Sequence, residues 1–398
     1  MSWGERIVSV VFNVVLIALA AIVLSPGTAL LQVSDMPLFY GAAWMATHGQ
    51  AALMYDVNAE WAAKHALFPE LKTSTAMYQA PLGIPLYTLF MLVPASIGLV
   101  FWSGAFIVLM AISLQMVAEY FGLSRRQTMW LGVLFALCGP CWEETRVEQT
   151  AAVFFLALAA SLWLARKGRP LLAGLCQGVW SPKPHLLLPL LAYQFGARRW
   201  SVLVGTAIGA AALFAVSVLE MGGLAGYAAF VQAIPVEFKK AMPTAGGSEP
   251  SFRGELIASG NLPLALTPLP TVAYGLVLVL MVWLGWRFRK DALFVEKGLL
   301  TALPLAVVFS LHVHNYELIW LVPSLLAATV VWKGSSRKKA VLIALPLLVF
   351  MMPLYAVLHY FYVLPGGKVN PFFFVMLGYE VAVLVGLLRM RAADVPAA

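Results

Sequence analysis

Eleven apolar runs, separated by short basic clusters, set the limits on what this 398-residue chain can become. They lie near 7–24, 97–119, 128–142, 150–165, 171–195, 201–220, 269–286, 298–311, 318–332, 340–362 and 372–388. About 20 apolar residues in helical form cross a bilayer core. In lipid only helices and closed barrels satisfy their own backbone. Composition agrees with the pattern. Hydrophobic residues make up 62% of the chain and charged residues 11%, where soluble domains run near roughly half and a quarter. A soluble globular enzyme and a disordered chain are both excluded. The expectation is an all-α polytopic membrane protein, one integral membrane domain over 1–398.

The basic clusters orient it. Arg6, Arg125-Arg126, Arg166 to Arg169, Arg198-Arg199, Arg287 to Lys297, Lys333 to Lys339 and Arg389/Arg391 hold 18 of the 26 Lys and Arg. Placed in the cytoplasm, they leave eight on the opposite face with most of the acids. A net charge of +8 therefore speaks of topology, and no nucleic-acid partner is expected. Both termini are expected inside. Run 171–195 has basic clusters at both ends and is interrupted by Ser181-Pro182-Lys183-Pro184. We read it as a broken helical hairpin with its apex near Lys183 on the outer side; a single proline-kinked helix is the alternative. The total is about 10 full spans plus that hairpin, about 12 membrane helices. Run 7–24 could also be a signal peptide. No small-x-small cleavage site follows it, so an uncleaved span is expected.

Two outer loops are long, about 25–96 and 221–268. Within the first, 38–47 and 58–67 read as short helices on the membrane surface. Residues 81–94 are apolar but too short to span. The second holds a flexible composition at 243–250.

Candidate chemistry gathers in the outer loops. Asp35 follows the first span among apolar neighbours, where partial desolvation would raise its pKa toward that of a useful base. The local alternative is a helix cap before Met36-Pro37, and local sequence favours the cap. Lys183 could offer a point charge to phosphate, or snorkel to the interface. Glu148 and Gln149 sit in a short loop with Arg146. Arg253 lies in Pro250-Ser-Phe-Arg-Gly254, and His312, His314, Asn315 and Glu317 crowd between two apolar runs. Cys138-Gly-Pro-Cys141 matches a redox tetrapeptide but lacks the strand-to-helix context that chemistry needs. His312-x-His314 is too sparse to indicate a metal. No cofactor is expected.

In order, these pieces resemble glycosyltransferase family 87, polyprenyl-phosphate-mannose-dependent enzymes of the C-type membrane glycosyltransferase fold. The matching residues are Asp35, Phe39-Tyr40-x-Ala42-Ala43, Gly49 to Asp56, Tyr78-x-x-Pro81, Glu148-Gln149 where the family usually has Gly-Gln, Ala173-Gly174-Leu175, Lys183-Pro184, Pro250 to Gly254, and His312 to Leu318 with Pro323. The resemblance implies an inverting transfer of a sugar, mannose first, from a polyprenyl-phosphate carrier to a glycolipid or glycan acceptor on the non-cytoplasmic face of the inner membrane. It makes Asp35 the base, reversing the local preference for a cap. Lys183 and Arg253 would then bind the donor phosphate. Tyr40, Tyr78, Glu148, Gln149, His312, His314, Asn315 and Glu317 would border sugar or acceptor. A transporter or lipid flippase is the competing class, and a non-catalytic envelope subunit a third. A transporter should show paired interruptions in its two halves, and only one interrupted run is visible.

Overall fold

The computed structural model describes residues 2–24, 34–72, 77, 79–233, 249, 251–260, 262–265, 267–332 and 371–390. Tyr78, the apolar run 340–362 and the side chain of Asn315 lie outside them. Among the described residues every regular element is helical. In chain order the main helices are α1 (Trp3–Leu24), α2 (Met36–Thr47), α3 (Val57–Leu67), α4 (Ala95–Tyr120), α5 (Arg125–Ala136), α6 (Gly139–Val147), α7 (Ala151–Arg166) and α8 (Pro170–Gly178). Then follow α9 (Pro184–Gly196), α10 (Trp200–Glu220), α11 (Phe252–Ala258), α12 (Leu269–Phe288), α13 (Phe294–Phe309), α14 (Val322–Val331) and α15 (Pro371–Arg389).

Among the described residues, α1, α4, α10 and α12 are long and apolar enough to cross a membrane. That is fewer than the sequence runs suggested. Run 128–142 breaks between α5 and α6, where Gly139-Pro140 opens a new helix. The 16-residue helices α7 and α13 reach only about 24 Å at 1.5 Å per residue, short of a core of about 30 Å. Run 171–195 is broken where its prolines stand: α8 has nine residues and α9 has 13, so neither spans alone.

The chain forms two compact units. The first comprises 1–136, 141–183 and 205–242; the second comprises 137–140, 184–204 and 243–398. In the first unit α4 packs along α7 and α1, and α1 along α5. Helix α8 lies against α10 at bare backbone. A Cβ on Gly209 would stand 2.7 Å from the Leu175 carbonyl oxygen, and one on Gly178 2.7 Å from Gly209 Cα. Gly205-Thr-Ala-Ile-Gly209 is the small-residue spacing that lets membrane helices approach so closely.

Helices α2 and α3 form where the sequence places them, but α2 is not a surface helix. It is apolar on every side and buried along most of its length. It packs on α3 and on the helical turns of Pro81–Leu92, with Phe39 stacked on Tyr87 at 4.5 Å between centroids. Helix α3 turns its polar residues inward. Glu60 and Lys64 are each 1% exposed and paired at 3.0 Å, and Glu60 Oε2 accepts from Met77 N at 3.1 Å.

In the second unit α12 and α13 both pack on α9, and α13 also meets α14 and α15. Tyr193 donates to the Phe294 carbonyl at 2.8 Å, and Tyr274 to the His185 carbonyl at 2.7 Å. The short α11 is capped by Ser251 Oγ, which accepts from Gly254 N at 3.2 Å.

Candidate functional site

The first unit builds its polar group around Asp35, the residue before α2. Its backbone N–H donates to Val147 O at 2.7 Å, tying it to the end of α6. Its carbonyl takes the first bond of α2, from Phe39 N at 3.1 Å. Its side chain makes no cap bond. Ser34 does that work, accepting from Met36 N at 2.9 Å. The Asp35 carboxylate is left to meet Gln149, whose Nε2 donates to Oδ2.

A chain of amides fixes that bond. Gln149 Oε1 accepts from Gln79 Nε2 at 3.5 Å, and Gln79 Oε1 accepts from the Tyr87 hydroxyl. Tyr55 donates to the Gln79 carbonyl at 2.6 Å. Each amide then has a single consistent orientation, with its N–H side toward Asp35.

Burial pushes the Asp35 carboxyl up to about 6; the Gln149 bond and the fields of Lys183 and Lys64 pull it partway back. Lys183 is 7% exposed, with Nζ 5.8 Å from the Phe154 ring centroid. That depth argues against snorkelling, which would carry the ammonium to water. Lys64 is a second cation acting on Asp35. In sequence it falls only within the short helix read over 58–67.

Glu148, a residue the sequence singled out, has an unusual backbone. It is buried with φ of 53°, in the left-handed region that favours glycine. Ser34 Oγ donates to its Oε2 at 2.5 Å and Ser103 Oγ to its Oε1 at 2.6 Å. Burial raises its carboxyl to about 7, against the pull of both serines. The residue therefore holds the loop carrying Asp35 on one side and Gln149 on the other. Replacing Glu148 by Ala or Gly removes both serine bonds, but only Gly relaxes at that φ. Glu148→Ala should therefore be less stable than Glu148→Gly by about 1 kcal/mol, read by thermal melting in detergent. Equal melting would remove the strain argument.

Tyr40 is buried, edge-on to Phe68, and its hydroxyl donates to Val93 O at 3.3 Å. These contacts are packing contacts, and none involves Asp35's partners. Cys138 and Cys141 are both buried where α6 begins, and among the described residues no strand stands beside them.

The second unit holds its own polar group. His312 Nδ1 meets Glu249 Oε1 at 2.6 Å, and His312 Nε2 meets His314 Nε2 at 3.0 Å. The His314 ring also accepts from the Glu317 backbone, while Glu317 Oε2 accepts from His314 N at 2.8 Å. That capping box assigns the tautomers. The His314 nitrogen that accepts has no proton, so its Nε2–H donates to His312. His312 then carries its proton on Nδ1 and donates to Glu249. Arg253 is 3% exposed and donates to the Leu311 carbonyl, bracing the segment that leads into both histidines. Burial lowers its guanidinium to about 10, with Glu249 opposing. Among the described residues no cluster has the makeup of a metal site. Glu249 was not foreseen; it lies 63 residues from His312 with no local pattern to mark it.

Glycosyltransferase family 87 matches this sequence over residues 78–310, more than half of the chain. The chain belongs to glycosyltransferase family 87. It is a membrane glycosyltransferase, which sets the transporter and flippase readings aside and implies a sugar donor and an acceptor. No curated protein and no solved structure matches it. The matched stretch contains Glu148, Gln149, Lys183 and Arg253. Asp35 and His312 to Glu317 lie outside it. The left-handed φ at Glu148 also gives a physical reason for the glycine that the resemblance associates with that place.

Proposed function

We propose that this family 87 enzyme moves a sugar, mannose first, from a polyprenyl-phosphate carrier to an acceptor hydroxyl with inversion, and that Asp35 is the base. The observation that carries this reading is the carboxylate of Asp35. It is half-buried and partly desolvated, excused from capping by Ser34, held by Gln149 and placed in the fields of two lysines.

The chemistry needs little more. Asp35 takes the proton of the acceptor hydroxyl as that oxygen bonds to the anomeric carbon. The bond from that carbon to the phosphate oxygen breaks, and its electron pair leaves with the polyprenyl phosphate. A phosphate ester departs without prior protonation, so the enzyme's task is to activate the acceptor and stabilise the departing charge. Lys183 serves the second need. Arg253, buried and donating to Leu311 O, is the second cation we assign to the donor phosphate. In the second unit, the partly exposed imidazoles beside a buried carboxylate suit hydrogen bonding to sugar hydroxyls. The excess of Lys and Arg in one set of loops supports an active face on the non-cytoplasmic side, with both termini inside.

The test is donor consumption. Purified protein offered a panel of polyprenyl-phosphate sugars and nucleotide sugars should strip sugar from a polyprenyl-phosphate donor, mannosyl before the others. Use of a nucleotide sugar alone would overturn the reading.

A further inference from the structure

In the first unit, the start of α1 and the ends of α4 and α7 meet around a cavity of about 240 Å³. Arg6, Glu119, Trp163, Arg166 and Lys167 line it. Glu119 is 16 residues along α4 from Ser103, the residue that bonds Glu148. That is about 24 Å of helix, so the cavity is at the opposite end of the span from Asp35.

Its one acid is fully occupied. Glu119 Oε1 accepts from Gln115 Nε2 at 2.9 Å and faces Arg6 Nε at 3.0 Å; Oε2 accepts from Trp163 Nε1 at 3.1 Å. The negative end of α4, which would repel an anion, is also covered. Arg166 Nη1 donates to the carbonyls of Glu119 and Tyr120. What remains is positive. The Lys167 ammonium lies 5.5 Å from the Trp163 ring centroid with no acceptor among the described residues, and Arg6 meets only Glu119 there. Three cations against one neutralised carboxylate make a pocket for an anion.

We propose that this cavity binds a phosphate-ester anion, supplied by the headgroup of an anionic membrane lipid. The lipid source is favoured by position. The cavity sits at the ends of two spanning helices beside an indole, where basic pockets meet headgroups. The inference goes beyond the transferase reading and does not depend on it.

The experiment uses full-length protein in neutral detergent, with melting and native mass spectrometry as readouts. Sugar transfer is not measured, so failure of the transferase reading would leave the result intact. Phosphatidylglycerol should bind and raise the melting temperature, while phosphatidylcholine and inorganic phosphate at equal concentration should not. Lys167→Gln leaves the Glu119 bonds in place and should weaken phosphatidylglycerol binding about fivefold, with Arg6→Gln adding a similar factor. Equal binding of the two lipids, or unchanged binding by Lys167→Gln, would overturn the site. An equal effect of inorganic phosphate would overturn the lipid as its source.

Discussion

Asp35→Asn should lower turnover by about 10²- to 10⁴-fold while leaving the fold intact. The variant keeps the shape of the side chain, and Asn Oδ1 can still accept from Gln149 Nε2. The backbone bonds to Val147 and from Phe39 do not involve the side chain. Capping is untouched, because Ser34 carries it. What disappears is the capacity to take a proton. The pH dependence adds a second readout. Burial holds the Asp35 carboxyl up at about 6, and only its ionised form is a base. The wild-type rate should therefore be full above that range and fall as pH drops through about 6. The variant's residual rate should lack that limb. Sugar loss from the donor at saturating acceptor, followed from pH 5 to 8 beside a melting curve, measures both. Near-normal turnover in a folded variant would end the assignment.

Much of this arrangement was legible in the sequence, because the bilayer makes demands that residues display openly. The prolines around Lys183 marked the break between α8 and α9, and Asp35 stood out as an acid past the first span among apolar neighbours. The number of spans did not follow as directly. Apolar length in sequence overstates helix length when Gly139-Pro140 restarts the chain, or when a helix stops at 16 residues as α7 does. The surroundings of Asp35 were hidden for a different reason. Gln79 and Gln149 are 70 residues apart, and an amide pair leaves no periodic trace. Lys64 and Glu60 fell within a stretch read only as a membrane-surface helix, and the packing of α3 turns them inward. At Glu148, a single sequence carries no record of φ. The left-handed backbone behind the departure from Gly, and the two serines that hold Glu148, came only with the fold.

Lys183→Ala should cost about 10²- to 10³-fold in kcat, the scale of losing one preorganised charge at a departing oxyanion. The loss should appear with the donor and spare the acceptor. KM for the acceptor should stay within about twofold, because the ammonium is assigned to the phosphate. A second effect separates this role from mere packing. Lys183 helps hold Asp35 in its ionised form, so its removal should move the acidic limb of the pH profile upward from about 6. Lys183→Arg keeps the positive charge and should hold the limb near its wild-type position, even if the larger guanidinium fits poorly beside Phe154 and slows turnover. A packing lysine predicts the reverse pattern: Ala and Arg would both lower melting, and neither would shift the limb. Equal losses toward donor and acceptor, with the limb fixed at about 6 in the Ala variant, would take the phosphate from Lys183 and leave Lys64 as the cation beside the base.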